Sequence, residues 1–251
     1  MLEPGRHALV TGGGRGIGRA IAAALKSRGL IVSIVGRDRG VLDEAVAAGD
    51  ADRAAALDVT DEAAVSTTLA DLAAEQPFDI VVANAGAAET GPFLRSDAGR
   101  FRRMLDVNLI GTVNVFQTAL PGMIERRSGR LIAIASTAAH RGYPYVSAYV
   151  AAKHAVLGLV KSLALETAAT GVTVNAVSPG YADTEMVGRA LQTIKDKAGL
   201  DDRAALAQLV KDNPQRRLIA AAEVADAVLY LCGPHSGATT GQSLLLNGGE
   251  F

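Results

Sequence analysis

The sequence predicts an α/β protein: one domain over residues 1–251, in which about seven parallel strands form a doubly wound sheet with helices on both faces. Three observations predict it. Short apolar runs alternate with helical patterns along the whole chain, and regular βαβ alternation implies parallel strands. The first unit turns through a glycine-rich stretch, Gly12-Gly13-Gly14-Arg15-Gly16-Ile17-Gly18. The chain has 251 residues, 49% of them apolar, enough for one large core.

Taken in order, His7 to Thr11 reads as a buried strand that runs into the glycine turn. A helical pattern follows through Ala20, Ile21, Ala24 and Leu25 and stops near Gly29. Leu30 to Val35 is a strand and Val41 to Ala47 a helix. Ala54 to Leu57 is a short strand, and Glu62 to Ala74 a helix. The strand near Asp79 to Ala83 precedes a polar loop at Glu89 to Asp97. One long helical stretch is expected from about Phe101 to Arg126, with Asn108 and Asn114 inside it. Arg130 to Ser136 is a strand, Ala148 to Ala168 a helix and Val172 to Val177 a strand. A helix over Ala222 to Leu231 precedes the strand Ser243 to Leu246. Asp183 to Leu218 breaks the rhythm. It is long and polar, with a weak helical pattern around Arg203 to Val210, and such segments tend to be functional or flexible.

Strand, glycine turn and helix form the context of a dinucleotide fingerprint. Glycine lets the backbone approach a pyrophosphate, and a helix N-terminus offers unpaired N–H groups and a positive dipole end. Downstream, Tyr149 and Lys153 are four residues apart, one helical turn, and Ser136 lies thirteen residues before the tyrosine. A free phenol titrates near ~10. An ammonium at ~4 Å with an effective dielectric of ~20 is worth about 4 kcal/mol, so Lys153 is expected to lower the Tyr149 pKa by up to ~3. Tyr149 then serves as a general acid or base. Taken alone, Tyr-x-x-x-Lys also fits a half-buried tyrosine beside a solvated lysine.

These motifs occur in one order along essentially the whole chain. They are Thr11-Gly12-x-x-x-Gly16-Ile17-Gly18, Asn84-Ala85-Gly86, Asn108, Ser136, Tyr149 with Lys153, Pro179-Gly180 followed by Thr184, and Asn247-Gly248-Gly249. In them the chain resembles the short-chain dehydrogenase/reductase family. The resemblance implies a Rossmann-type fold and hydride transfer between a nicotinamide cofactor and a carbonyl or alcohol carbon. It implies Tyr149 as proton donor, Ser136 as hydrogen-bond donor to the same oxygen, and Lys153 on the nicotinamide ribose. Asn108 would hold a water that relays protons from Lys153 to solvent. Pro179, Gly180 and Thr184 would close over the nicotinamide, and residues 183–218 would be a substrate lid. Asp58-Val59 resembles the family's adenine contact.

Cofactor choice turns on the end of the second strand, Val35-Gly36-Arg37-Asp38. An acidic residue in the family's slot would bond the ribose 2′-hydroxyl of NAD(H) and repel a 2′-phosphate. That slot falls on Gly36, while Arg37 and Arg15 carry guanidinium groups suited to a phosphate, so NADP(H) is preferred over NAD(H). A register shift of two would make Asp38 the acid; its other reading is a helix N-cap.

Candidate substrate-pocket residues are Ala138, His140, Tyr143 and Tyr145 after Ser136, with Arg141 among them, and Tyr181 and Met186 opposite. This mostly apolar and aromatic set suits an acyl, cyclic or aromatic ketone. Arg216-Arg217-Leu218 and the closing glycines look like the 3-oxoacyl-thioester and polyketide ketoreductase branches. Arg141, Lys195 or Lys197 meets a carboxylate or coenzyme A phosphate, or is a solvated surface charge. Two rivals stand: an NAD-dependent polyol or cyclic-alcohol dehydrogenase, and a non-catalytic nucleotide-binding regulator.

Net charge is −1 with scattered basic residues, which points to neither nucleic acid nor a membrane surface. No bilayer-length apolar run and no secretory signal is read, so the expectation is a cytoplasmic protein. The single cysteine, Cys232, lies in an apolar stretch as a buried thiol, and the four histidines lack metal-ligand spacing. The helices near 101–126 and 148–168 carry apolar residues beyond one core stripe. Family members commonly pair these helices between subunits, so a homotetramer is expected, with the residues near Phe251 at or near a second interface.

Overall fold

Seven strands form one parallel sheet in the order β3-β2-β1-β4-β5-β6-β7. They are β1 His7–Thr11, β2 Ile31–Gly36, β3 Arg53–Ala56, β4 Ile80–Ala83, β5 Gly129–Ile134, β6 Val172–Pro179 and β7 Ser243–Leu246. The order reverses between β1 and β4, whose registers pair Ala8 with Ile80 and Val10 with Val82. In an open α/β sheet that reversal opens a crevice at the carboxyl ends of the strands. The computed structural model describes residues 3–184, 187–188, 191–192, 195–196 and 199–251. Met186 and Lys197 lie outside the described residues.

Strand residues alternate between two cores because successive side chains point to opposite faces. Ala8, Val10, Ile34, Ile80, Val82 and Ile132 pack with α1 (Gly16–Lys26), α2 (Arg39–Ala47) and the helix Ala221–Cys232. Leu9, Val35, Val81, Leu131 and Val174 pack on the other face, against α3 (Glu62–Glu75) and the helices that follow β4 and β5. Aspartates start several helices by accepting from orphan N–H groups. Asp38 is one: it accepts from the Val41 N–H at 3.3 Å, so the N-cap reading of that residue holds.

The stretch expected as one helix from Phe101 to Arg126 is three pieces. These are α4 (Ala98–Leu105), a wider π-type segment at Asp106–Ile110, and α5 (Gly111–Glu125). Gly111 N–H reaches back five residues to Asp106 O. Gly111 also presses on Val59, since an added Cβ would lie 2.6 Å from Val59 Cγ2. π-type turns inside helices concentrate at functional sites, and this one carries Asn108.

After β5 comes α6 (Ser147–Thr167), which contradicts the expectation of no bilayer-length apolar run: it is long and apolar enough by length and composition. Its Ala148, Ala152, Val156, Val160 and Ala164 are buried at intervals of four; the first two pack on Met104 of α4 and the other three on the sheet. Beyond β6, the excursion expected at 183–218 contains α7 (Asp202–Leu209), capped by Asp201. Its two ends are pinned together: Asp183 N–H donates to Ile219 O and Ile219 N–H to Tyr181 O, both at 2.9 Å. Then α8 (Ala221–Cys232) leads to β7. Cys232 is buried, and desolvation pushes its thiol up to about 12, so it is inert.

Candidate active site

The first turn of α6 brings Tyr149 to the turn that follows β5, where Ser136 caps Thr137–Ala139. Ser136 is close enough to the phenol to lower its pKa, and its Oγ accepts from the Ala138 N–H at 3.1 Å. Lys153, one turn further along α6, is 5% exposed. Its Nζ donates to the Ile134 carbonyl at 2.8 Å and sits 5.8 Å from the centroid of the Tyr149 ring. Burial pushes Lys153 down to about 8.

The expected lowering of the Tyr149 pKa is not what the structure shows. The phenol is pushed above 10.0 by burial, against a downward pull from nearby Ser136 and with a smaller upward push from Tyr181. The reason is geometric and dielectric. The ammonium is turned to a backbone carbonyl, and removing the phenolate from water outweighs that downward pull.

Asn108 is 1% exposed in the π-type segment. Its Nδ2 donates to Ala87 O and Met104 O, both at 2.9 Å, and its Oδ1 accepts from the Ala87 N–H at 3.4 Å. Gly86 lets these groups converge. A Cβ there would lie 2.8 Å from Asn108 Oδ1 and 3.6 Å from Lys153 Nζ. The Asn84-Ala85-Gly86 turn is therefore the floor between the amide and the ammonium.

The same turn is stitched to the first strand. Thr11 Oγ1 accepts from the N–H groups of Asn84 and Ala85 at 3.0 and 2.9 Å, and Asn84 Nδ2 donates to Thr11 O at 2.9 Å. Gly12 has φ +63°, and a Cβ there would lie 2.9 Å from Asn84 Nδ2; a Cβ on Gly18 would overlap Gly12 O. Gly14 faces Val41 instead, 2.9 Å from Cγ1 by the same measure, so its smallness serves packing of α2. Gly16 faces Thr184, whose Cγ2 would lie 3.3 Å from an added Cβ. Ile17 packs on the core beneath the turn. Pro179 and Gly180 continue β6, with the Gly180 N–H donating to Leu246 O at 2.9 Å. Thr184 is thus carried from the end of β6 onto the glycine turn. The cradle above β1 and β4, at the open N-terminus of α1, fits a pyrophosphate.

At the end of β2, Gly36 pairs with Ala56 and offers no side chain. Arg37 and Arg15 are exposed. Asp58 bonds the Thr60 N–H and hydroxyl at 3.0 and 2.8 Å. The Thr60 backbone bond, helped by the charge of Arg37, holds its carboxyl below the usual range. Val59 is buried, and its carbonyl accepts from Asn114 Nδ2 at 2.9 Å. The rim of the crevice therefore carries cationic groups and one anionic Asp58.

On the other side of Ser136, Ala138 is buried and Tyr181 is 45% exposed, close enough to Tyr149 to perturb it. His140 directs Nε2 at Ser178 and Ser243 on β6 and β7, at 3.2 and 3.1 Å. Tyr143 donates its hydroxyl to Glu250 Oε1 at 2.9 Å. Tyr145 is 66% exposed at φ +67°, and its carbonyl accepts from the Gly91 N–H at 2.7 Å. Among the described residues no cluster could hold a metal ion.

A family model described as enoyl-(acyl carrier protein) reductase matches residues 12–250. The chain is 35% identical over 253 residues to the 3-oxoacyl-[acyl-carrier-protein] reductase FabG of Vibrio harveyi, covering 100% of this chain and 99% of the relative.

The chain belongs to the short-chain dehydrogenase/reductase family.

Solved structures of this family agree with the fold. A variant of actinorhodin polyketide ketoreductase with NADPH superposes with TM-score 0.93 at 33% identity, covering 98% of this chain and 97% of that one. An NAD⁺-bound xylitol dehydrogenase superposes with TM-score 0.91 at 30% identity, covering 98% and 99%. As a short-chain dehydrogenase/reductase the protein is an oxidoreductase with a small-molecule substrate. Two features of its site escape sequence reasoning. One is the π-type segment under Asn108, for which composition carries no signal. The other is Glu250, which meets Tyr143 across 107 residues of chain.

Proposed function

We propose that the protein is an NADP(H)-dependent oxidoreductase that interconverts a ketone and a secondary alcohol, with 3-oxoacyl thioesters and cyclic or aromatic ketones as the substrate class. The observation that carries this reading is the placement of Tyr149 beside Ser136 and buried Lys153, whose Nζ lies 5.8 Å from the Tyr149 ring centroid, at the edge of the glycine crevice. The cofactor, when bound, supplies or accepts the hydride. Thr11, Gly12, Gly14, Arg15, Gly16, Ile17 and Gly18 form its cradle, with Asn84, Ala85 and Gly86 as the floor and Pro179, Gly180 and Thr184 as the cover. Arg37 and Arg15 would hold the 2′-phosphate, and Asp58 with Val59 would face the adenine.

Tyr149 gives its proton to the alkoxide oxygen as the carbonyl is reduced. Its raised pKa keeps the phenol protonated at neutral pH, which suits the reducing direction. Ser136 donates to the same oxygen, an oxyanion-hole role. Lys153 would hold the ribose hydroxyls, and Asn108 would connect it to solvent. Ala138, His140, Tyr143, Tyr145 and Tyr181 would surround the substrate, and the described part of the 183–218 excursion, pinned at its two ends, would cover it and exclude water. The whole chain works as one domain, in the cytoplasm, apart from nucleic acid and membranes.

We further propose a homotetramer. Ile110, Ile124 and Leu165 are 41%, 40% and 83% exposed near or on α5 and α6, apolar surface that a partner would cover. A monodisperse monomer by light scattering would overturn it.

Similarity to the NAD⁺-bound xylitol dehydrogenase favours the second reading, oxidation of a polyol with NAD(H). The test is a carbonyl and polyol panel read by nicotinamide absorbance with both cofactors. Reduction of 3-oxoacyl thioesters or cyclic diketones with NADPH supports the first reading, and polyol oxidation with NAD⁺ alone supports the second.

A further inference from the structure

Two donors converge on one oxygen of Glu250. The Tyr143 hydroxyl and Arg141 Nη1 reach Oε1 at 2.9 and 3.3 Å, and the Glu250 side chain is 9% exposed. The Arg141 guanidinium also lies over the rings of Tyr143 and Phe251, 5.1 and 5.3 Å from their centroids. The turn carrying Glu250 is braced. Asn247 Nδ2 donates to Phe251 O at 3.0 Å, the Gly249 N–H donates to Asn247 Oδ1 at 3.1 Å, and Asn213 seats against Gly248. A fixed carboxylate thus reaches into the segment that follows Ser136.

We propose that Glu250 is a positioning residue that latches segment 140–145 behind Ser136 and makes the pocket mouth select neutral ketones over anionic ones. The proposal rests on the ketone–alcohol reading above. Tyr143 also lies near enough to Thr137, the neighbour of Ser136, to feel its side chain, so the latch borders the residue beside the reacting oxygen. Arg141 is committed to Glu250, so it has little charge left for a substrate carboxylate. The pair is neutral as a whole, so the mouth offers an incoming anion no net attraction to offset its desolvation.

The test compares a neutral 3-oxo ester with the 3-oxo acid of the same chain length, using NADPH and the whole protein. Glu250→Ala should raise KM for the ester about fivefold or more, with kcat within about twofold and NADPH affinity unchanged. Amides of residues 140–146 should exchange hydrogen faster. Glu250→Gln keeps the acceptor for Tyr143 but removes the charge. It should leave the ester KM near wild type and raise the acid-to-ester ratio of kcat/KM about tenfold. Unchanged exchange in Glu250→Ala, or an unchanged ratio in Glu250→Gln, overturns the proposal. If the wild type reduces no ketone with either cofactor, the ketone–alcohol reading and the selectivity built on it both fall. The exchange comparison then decides the latch by itself.

Discussion

Lys153 Nζ donates to the carbonyl oxygen of Ile134, 2.8 Å away, from a position 5% exposed to solvent. A buried ammonium held by one neutral carbonyl destabilises the fold it serves. A pKa moved from 10.5 to about 8 corresponds to roughly 3 kcal/mol against folding at neutral pH. Because the folded pKa is the lower one, this cost is full below about 8 and fades as pH rises toward the unfolded value.

Lys153→Met should therefore stabilise the protein while removing activity. Losing the bond to Ile134 returns about 1 kcal/mol of the gain. A net 1–2 kcal/mol, at about 2–4 °C per kcal/mol for a chain of this size, gives a rise in Tm of several degrees. Scanning calorimetry checks it, and a fall in Tm would contradict the burial argument. In the wild type, NADPH affinity should weaken as pH rises through about 8, where Lys153 loses its charge.

Tyr149→Phe should abolish turnover while NADPH still binds, because only the proton donor is lost. Retention of more than about a few per cent of wild-type kcat would remove Tyr149 from that role. Since the phenol is raised above 10.0, the kcat limb for reduction should lie at higher pH than the binding limb of Lys153. Oxidation of the alcohol needs the phenolate and should accelerate with pH over the same range.

Arg37→Asp should weaken NADPH and improve NADH relative to it. One charge-assisted bond is worth about 1.5–3 kcal/mol, and repulsion between the new carboxylate and a 2′-phosphate adds to that. Cofactor titrations measure the ratio. A wild type that already prefers NADH would defeat the argument, since Asp38 is occupied as an N-cap.

Acid should loosen the start of the sheet through His7. Its ring is buried between Gln76 O at 2.6 Å and Ser33 Oγ at 2.8 Å, and desolvation holds its pKa below 6.5. With the folded value depressed, the unfolded chain takes the proton first as pH falls through ~6.5, and stability is lost at up to ~1.4 kcal/mol per pH unit. The carboxylates with lowered values, such as Asp52 and Asp58, act only below ~4. Urea midpoints between about pH 7 and pH 5 should fall in the wild type and fall less in His7→Gln. Equal slopes would assign the loss elsewhere.

The sequence by itself determined what depends on local spacing. Strand alternation at Ala8–Leu9–Val10, the glycine turn after Thr11, the one-turn Tyr149–Lys153 pair and the Asp38 cap all follow from periods of two and 3.6 residues and from backbone geometry. Tertiary structure alone decided what depends on burial and long-range contact. It placed Asn108 in a π-type segment next to the Gly111–Val59 contact, turned Lys153 to Ile134, and buried Tyr149, and that burial raises the pKa that spacing had suggested would fall. It also joined Glu250 to Tyr143 and Arg141. The physical reason is that desolvation and side-chain direction are set by whatever packs around a residue, and those neighbours come from distant parts of the chain.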